Sequence, residues 1–289
     1  SSPKTIRNVA LGIILGGLLG LALAALLERI DRRIRTEDEL ETLFGLPLLA
    51  RIPRSRWLGG AWLRGRRGSA QTPELEAFRT LRVNLSYFNV DGGRRSILVA
   101  SPEPGDGKST VARHLAVTMA EMGDSVVLVE ADLHKGKPLL DTEGAERGLS
   151  SVLAGTPLDL ALIEVETPSQ SPGSRMLTVL PSGSVPPNPS ELLESKRMRE
   201  ILAELGERFE VVIVDSPALG AVSDTLGLVP VVDTIVVVSG LGTTTRDGAR
   251  NFMKQLSILG AEPAGVIANF TKVERGGYAY YNAGVAART

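Results

Sequence analysis

Read for its alternation of apolar and polar positions, the chain opens with an unbroken apolar run and then settles into short β-branched runs separated by helix-like stretches. From Val9 to Leu27 no residue is charged, and nineteen residues at ~1.5 Å rise give about 28 Å, the thickness of a hydrocarbon core. Gly12, Gly16 and Gly20 recur on one face of such a helix. Residues 36–43 carry a capping threonine and early acids, and residues 74–88 follow Pro73, so both stretches read as helices. Strands are expected at 96–100, 125–129, 177–180, 211–214, 234–238 and 264–268, with a helix from about Lys108 to Met122. Asn188, Pro189 and Glu191 mark another helix start. Such an order predicts an α/β fold, a mostly parallel sheet with helices on both faces, preceded by a transmembrane helix.

Composition narrows the chemistry. The 32 basic and 33 acidic residues nearly cancel, which gives no reason to expect a nucleic-acid partner. No cysteine is present, which removes disulfides, thiolate metal sites and thiol nucleophiles. His114 and His134 have no metal-ligand spacing. Locally the charge is far from even. Six arginines and no acid fall between Arg51 and Arg67, interleaved with Trp57 and Trp62, and Arg29, Arg32, Arg33 and Arg35 follow the apolar run. The positive-inside rule then places the C-terminal side in the cytoplasm. The Arg/Trp stretch either lies on anionic inner-membrane lipid or serves as a solvated linker. The abrupt start beside the apolar run suggests a fragment of a longer protein.

The glycine-bearing turn after the 96–100 strand carries the main chemical signal. Gly105, Asp106, Gly107, Lys108, Ser109 and Thr110 supply a loop able to curl around phosphate, a cation, and a hydroxyl for magnesium, with the positive end of the following helix behind them. Pro102 stands where the usual pattern has its first glycine. Carboxylates are then expected at other strand ends, and Glu130, Asp132 and Asp215 fall there. Asn269 ends the last strand and is a plausible base contact. The neighbouring run from Thr271 to Glu274 only approximates a guanine reader, its glutamate being too long, so Mg²⁺ and ATP are the expected ligands.

Taken together, these features resemble the cytoplasmic half of the bacterial tyrosine kinases associated with polysaccharide co-polymerases. The resemblance runs through Asp31-Arg32-Arg33-Ile34, Gly45-Leu46-Pro47, the Glu76-x-x-Arg79-x-x-Arg82 motif, the phosphate loop, Pro186-Pro187-Asn188-Pro189-Ser190-Glu191-Leu192-Leu193, and Val211-Val212-Ile213-Val214-Asp215-Ser216-Pro217. It implies ring-like self-association through Glu76, Arg79 and Arg82. It also implies catalysis by Lys108, Asp132, Glu130 and Asp215, metal held by Ser109, Asp132 and Asp215, and phosphorylation of Tyr278, Tyr280 and Tyr281 by a neighbouring subunit. Polysaccharide polymerisation and export machinery at the bacterial inner membrane is the implied partner. The family's second nucleotide motif has Asp and Arg where Glu130 and His134 stand here, which shifts a carboxylate and removes a fixed positive charge. The expected organisation is a membrane helix and its exit at 1–35, a basic linker at 36–72, a P-loop kinase domain at 73–275 and a tyrosine tail at 276–289. Two rivals share the nucleotide loop: a partition- or septum-type ATPase switch, which would want a lysine at Glu103, and a chain-length-regulating scaffold with structural nucleotide.

Overall fold

A computed structural model describes residues 4–30, 32–55, 58, 72–87, 95–134, 146–167, 175–217 and 227–272. The chain divides into two units, Ser1–Arg33 and Ile34–Thr289. The first holds one helix, α1 (Thr5–Ile30). Its described side chains extend from residue 8 to residue 21, and Val9, Leu11, Ile13, Ile14, Leu15, Leu18, Leu19 and Leu21 are all exposed. Among the described residues no helix is long and apolar enough to cross a membrane.

The second unit is an eight-stranded sheet. Its strands are β1 (Leu48–Pro53), β2 (Arg95–Ala100), β3 (Val126–Glu130), β4 (Ile163–Glu166), β5 (Met176–Leu180), β6 (Val211–Asp215), β7 (Thr234–Gly240) and β8 (Gly265–Thr271). They lie in the order β1-β8-β7-β2-β6-β3-β5-β4, all parallel except the edge strand β4, which runs antiparallel to β5. The central strands are buried on both faces, which is why they read as continuous β-branched runs. Alternation sorts their side chains between two layers. Ile97, Val99, Leu128, Ile213 and Val236 face Phe78 and Leu81 of α3 (Pro73–Ser86) and Leu115 and Met119 of α4 (Lys108–Met122). Leu98, Val127, Val129 and Val214 face the opposite layer. There Leu40 and Phe44 of α2 (Glu37–Phe44), Ile201 and Leu205 of α7 (Lys196–Arg208), and Phe252 and Leu256 of α8 (Arg246–Ile258) close the core. Two five-residue helices, α5 (Leu149–Leu153) and α6 (Pro189–Leu193), add Leu149, Val152 and Leu193 to that layer.

Within the 36–72 stretch expected to serve as a linker, α2 and β1 are built into the sheet domain. Leu40, Phe44, Leu49 and Ile52 are buried, and β1 pairs parallel with β8 from Leu48 to Pro53. Of β1, only Arg51 is exposed; Leu49, Ala50, Ile52 and Pro53 are buried on both sides of it. α3 then lies on β1, with Asn84 Nδ2 donating to the Leu49 carbonyl at 2.7 Å.

Candidate nucleotide site

The strand order decides what meets what. β2 ends in the glycine loop, β6 lies on one side of it and β7 on the other, so the loop faces the ends of both. Glu130 and Asp215 are Cα partners across β3 and β6, at the same level of the carboxyl rim. Lys108, the first residue of α4, turns towards them, with Nζ 3.6 Å from Asp132 Oδ2 and 3.9 Å from Asp215 Oδ1. Lys108, Glu130, Asp132 and Asp215 are all buried. Lys108 Nζ also donates to Ser109 Oγ at 3.5 Å. Glu130 Oε2 accepts from the Ser182 amide at 3.3 Å, a bond that takes up the reach of a side chain one methylene longer than aspartate. His134 is exposed two residues beyond Asp132.

The loop is held from behind. Gly105 and Gly107 have φ of +88° and +89°, a region that favours glycine. A Cβ on Gly107 would stand 2.2 Å from Asn269 Nδ2, so this position admits no side chain. No non-glycine residue of the loop has positive φ, which explains how Pro102 is accommodated in place of glycine. The side chain of Asp106 turns into the protein. Its carboxylate is fully buried and points to β7, accepting from Thr244 Oγ1 at 2.7 Å, the Gly240 amide at 3.3 Å and the Glu103 amide at 3.0 Å. Burial pushes its carboxyl up to about 7, against the pull of those donors. Asn269 is likewise committed within the protein: Nδ2 donates to the Asp106 carbonyl at 2.7 Å and Oδ1 accepts from the Phe270 amide at 2.9 Å. Through these two bonds it braces the loop. Phe270 is the one non-glycine residue with positive φ among those described, and Arg54 lies 4.9 Å above its ring.

On α4 beyond the loop, Arg113 and His114 both meet the carbonyl of Leu58, at 2.7 Å and 3.3 Å. Burial drives the His114 imidazole down to about 3, so it is neutral at ordinary pH. Of the Glu-x-x-Arg-x-x-Arg motif, Arg82 makes two bonds to Asp124, at 3.2 and 3.3 Å, and Arg79 pairs with Glu76 one turn earlier on the same helix. Tyr278, Tyr280 and Tyr281 lie outside the described residues. Reading the sequence missed Thr244, Thr245 and Ser182. A run of three threonines, Thr243–Thr245, between a buried strand and a helix was the available signal for the first two, as a cap with hydroxyls to spare. Ser182 contributes through its backbone amide, which leaves no mark in the sequence.

No protein-family model matches the chain. It is 37% identical over 210 residues to the tyrosine-protein kinase YwqD of Bacillus subtilis, covering 71% of this chain and 85% of that one. The chain belongs to the bacterial tyrosine-protein kinases. It is also 32% identical over 289 residues to the tyrosine-protein kinase etk of Escherichia coli, but spans only 39% of that relative's length. Among solved structures, the BceF tyrosine kinase domain superposes with a TM-score of 0.67 at 32% identity, covering 82% of this chain and 98% of that one. The chimerical protein CapA2B2 gives 0.70 at 29% identity, covering 82% and 100%.

Proposed function

We propose that this kinase is a membrane-anchored, ATP-dependent tyrosine autokinase that regulates exopolysaccharide or capsule polymer synthesis and export. The observation that carries the catalytic part is Lys108 held between Asp132 and Asp215, directly after Gly107, a position with no room for a side chain. Amides of residues 105–110 and the positive end of α4 suit a polyphosphate, and Lys108 supplies a charge for its β- and γ-groups. Among the described residues no three His, Cys, Asp or Glu side chains cluster so as to cage a metal ion by themselves. A hydroxyl and two carboxylates completed by phosphate oxygens suit magnesium, which favours that kind of site, and Ser109, Asp132 and Asp215 would hold it. Bound there, magnesium supplies neutralisation of the phosphate charge. Asp132, with Glu130 beside it, takes the phenolic proton as the tyrosine oxygen attacks the γ-phosphorus and ADP departs.

The acceptors in this reading are Tyr278, Tyr280 and Tyr281 of an adjacent subunit in a ring. Glu76 and Arg79, both about two-fifths exposed, are the motif residues available to such a contact. The apolar sequence of α1 supports a membrane span, and the arginines after it support a cytoplasmic kinase domain. Mass spectrometry of the purified chain after incubation with Mg-ATP is the test. Phosphate on the tail tyrosines is expected, lost on replacing all three by Phe and reduced at least ~100-fold in Lys108→Ala. Phosphate on serine alone, or none on a wild-type protein that binds Mg-ATP, would leave an ATPase switch or scaffold in its place.

A further inference from the structure

The loop between β7 and α8 reaches the phosphate loop through three consecutive threonines. Thr243 Cγ2 lies 3.8 Å from where a Cβ on Gly105 would stand. Thr244 Oγ1 donates to Asp106, and Thr245 Oγ1 donates to Glu103 Oε1 at 2.8 Å while accepting from the Gly248 amide as the cap of α8. The Thr244 hydroxyl is fully buried and its capacity is completely used. A hydroxyl has one proton to give and two lone pairs. Here the lone pairs take the Gly240 amide at 3.0 Å and the Ser239 hydroxyl at 2.9 Å. An amide can only donate, and with both lone pairs occupied the single proton has one destination, Asp106 Oδ1.

We propose, on the basis of the nucleotide site assigned here, that Thr244 is a positioning residue for the phosphates of the bound nucleotide, acting through Asp106. The Asp106 carboxylate closes a ring from β7 back to the Glu103 amide and so fixes both ends of the segment 103–106. That segment aims the amides of Gly105, Gly107 and Lys108 at the phosphates. Without the Thr244 proton, the Gly240 amide and Asp106 Oδ1 have only each other, and the loop is free to widen. The same turn is gripped from outside by Ile34, whose amide donates to the Thr244 carbonyl at 2.9 Å and whose carbonyl accepts from the Gly242 amide at 2.8 Å, so it has little freedom to follow a relaxing loop.

The test is a titration of the purified chain with Mg-ADP, alongside thermal melts without nucleotide. Thr244→Val removes the proton at constant shape and is expected to weaken binding by roughly 10-fold. Thr244→Ser restores the hydroxyl and is expected within about 2-fold of wild type. Since Thr244 acts through Asp106, Thr244→Val combined with Asp106→Asn is expected to bind no worse than about 2-fold below the weaker single variant. Wild-type affinity in Thr244→Val, a serine variant as weak as the valine, or multiplied penalties in the double variant would each overturn the proposal. A lower melting temperature in Thr244→Val at unchanged affinity would make the threonine purely structural and overturn it as well. Should the valine variant not fold, Asp106→Asn carries the test, and Mg-ADP binding at wild-type strength refutes it. Failure of wild type to bind Mg-ADP refutes the nucleotide site itself, a separate result.

Discussion

Asp106 and His114 are buried titratable groups that answer to acid in opposite senses. Asp106 in the folded chain keeps its proton up to about pH 7, where the unfolded chain, with an ordinary value of 3.8, has already released it. Its contribution to stability is therefore greatest below about pH 4, falls as pH rises from about 4 to about 7, and is level beyond. His114, depressed to about 3, has the reverse dependence: its contribution is complete above about 6.5 and is lost as pH falls towards 3. Glu121, pushed up to about 7 by burial, adds to the Asp106 trend. Asparagine at 106 cannot ionise. The unfolding free energy of Asp106→Asn relative to wild type is expected to rise between pH 4 and 7, by an amount on the order of a few kcal/mol. Urea melts across that range measure it, and a difference independent of pH would show that Asp106 titrates normally. The other contributions cancel in the difference. At Gly107 the expectation is steric: Gly107→Ala drives a methyl into Asn269 and should abolish Mg-ADP binding, with the rest of the sheet intact by circular dichroism.

Among the elements, those that could be read from the chain are those whose local pattern agrees with their final surroundings. The buried parallel strands, α4 with its glycine entry, and α6 with its Asn188-Pro189 start all fall within a few residues of expectation. β1 was hidden by Arg51 at its centre and by Pro47 and Pro53 around it, a composition that suits a linker until β8 offers a partner. β4, four residues with Glu164 and Glu166 facing water, carries too little apolar signal to be seen alone. The site was legible in its charges and glycines because their chemistry is local. The threonine clamp was not, because Asp106 and Thr244 are 138 positions apart and meet only through the adjacency of β2 and β7. The same reasoning applies to α3, whose arginines look alike in sequence. Arg82 is tied to Asp124, whereas Arg79 pairs with Glu76 one turn away and acts on Glu121 through its charge. Arg82→Ala is expected to cost about 1 kcal/mol of stability by chemical denaturation, for a pair that is only partly shielded from water. Glu76→Ala with Arg79→Ala is expected to leave the melt unchanged and to lower the oligomer mass seen by light scattering, if the ring uses that face.

For the whole molecule, the sheet has two open borders that differ in character. One is β1, packed against α3; the other is β4, the only one of the described strands that reverses direction. Its brevity and its two exposed carboxylates make that border a poor template for another chain, since a strand pairing there would set its own side chains beside Glu164 and Glu166 on the solvent face. Copies of this chain brought to high local concentration are thus hindered from pairing edge to edge. Replacing both glutamates by valine should expose this safeguard as concentration-dependent, thioflavin-positive aggregates, while nucleotide binding by the remaining soluble fraction persists.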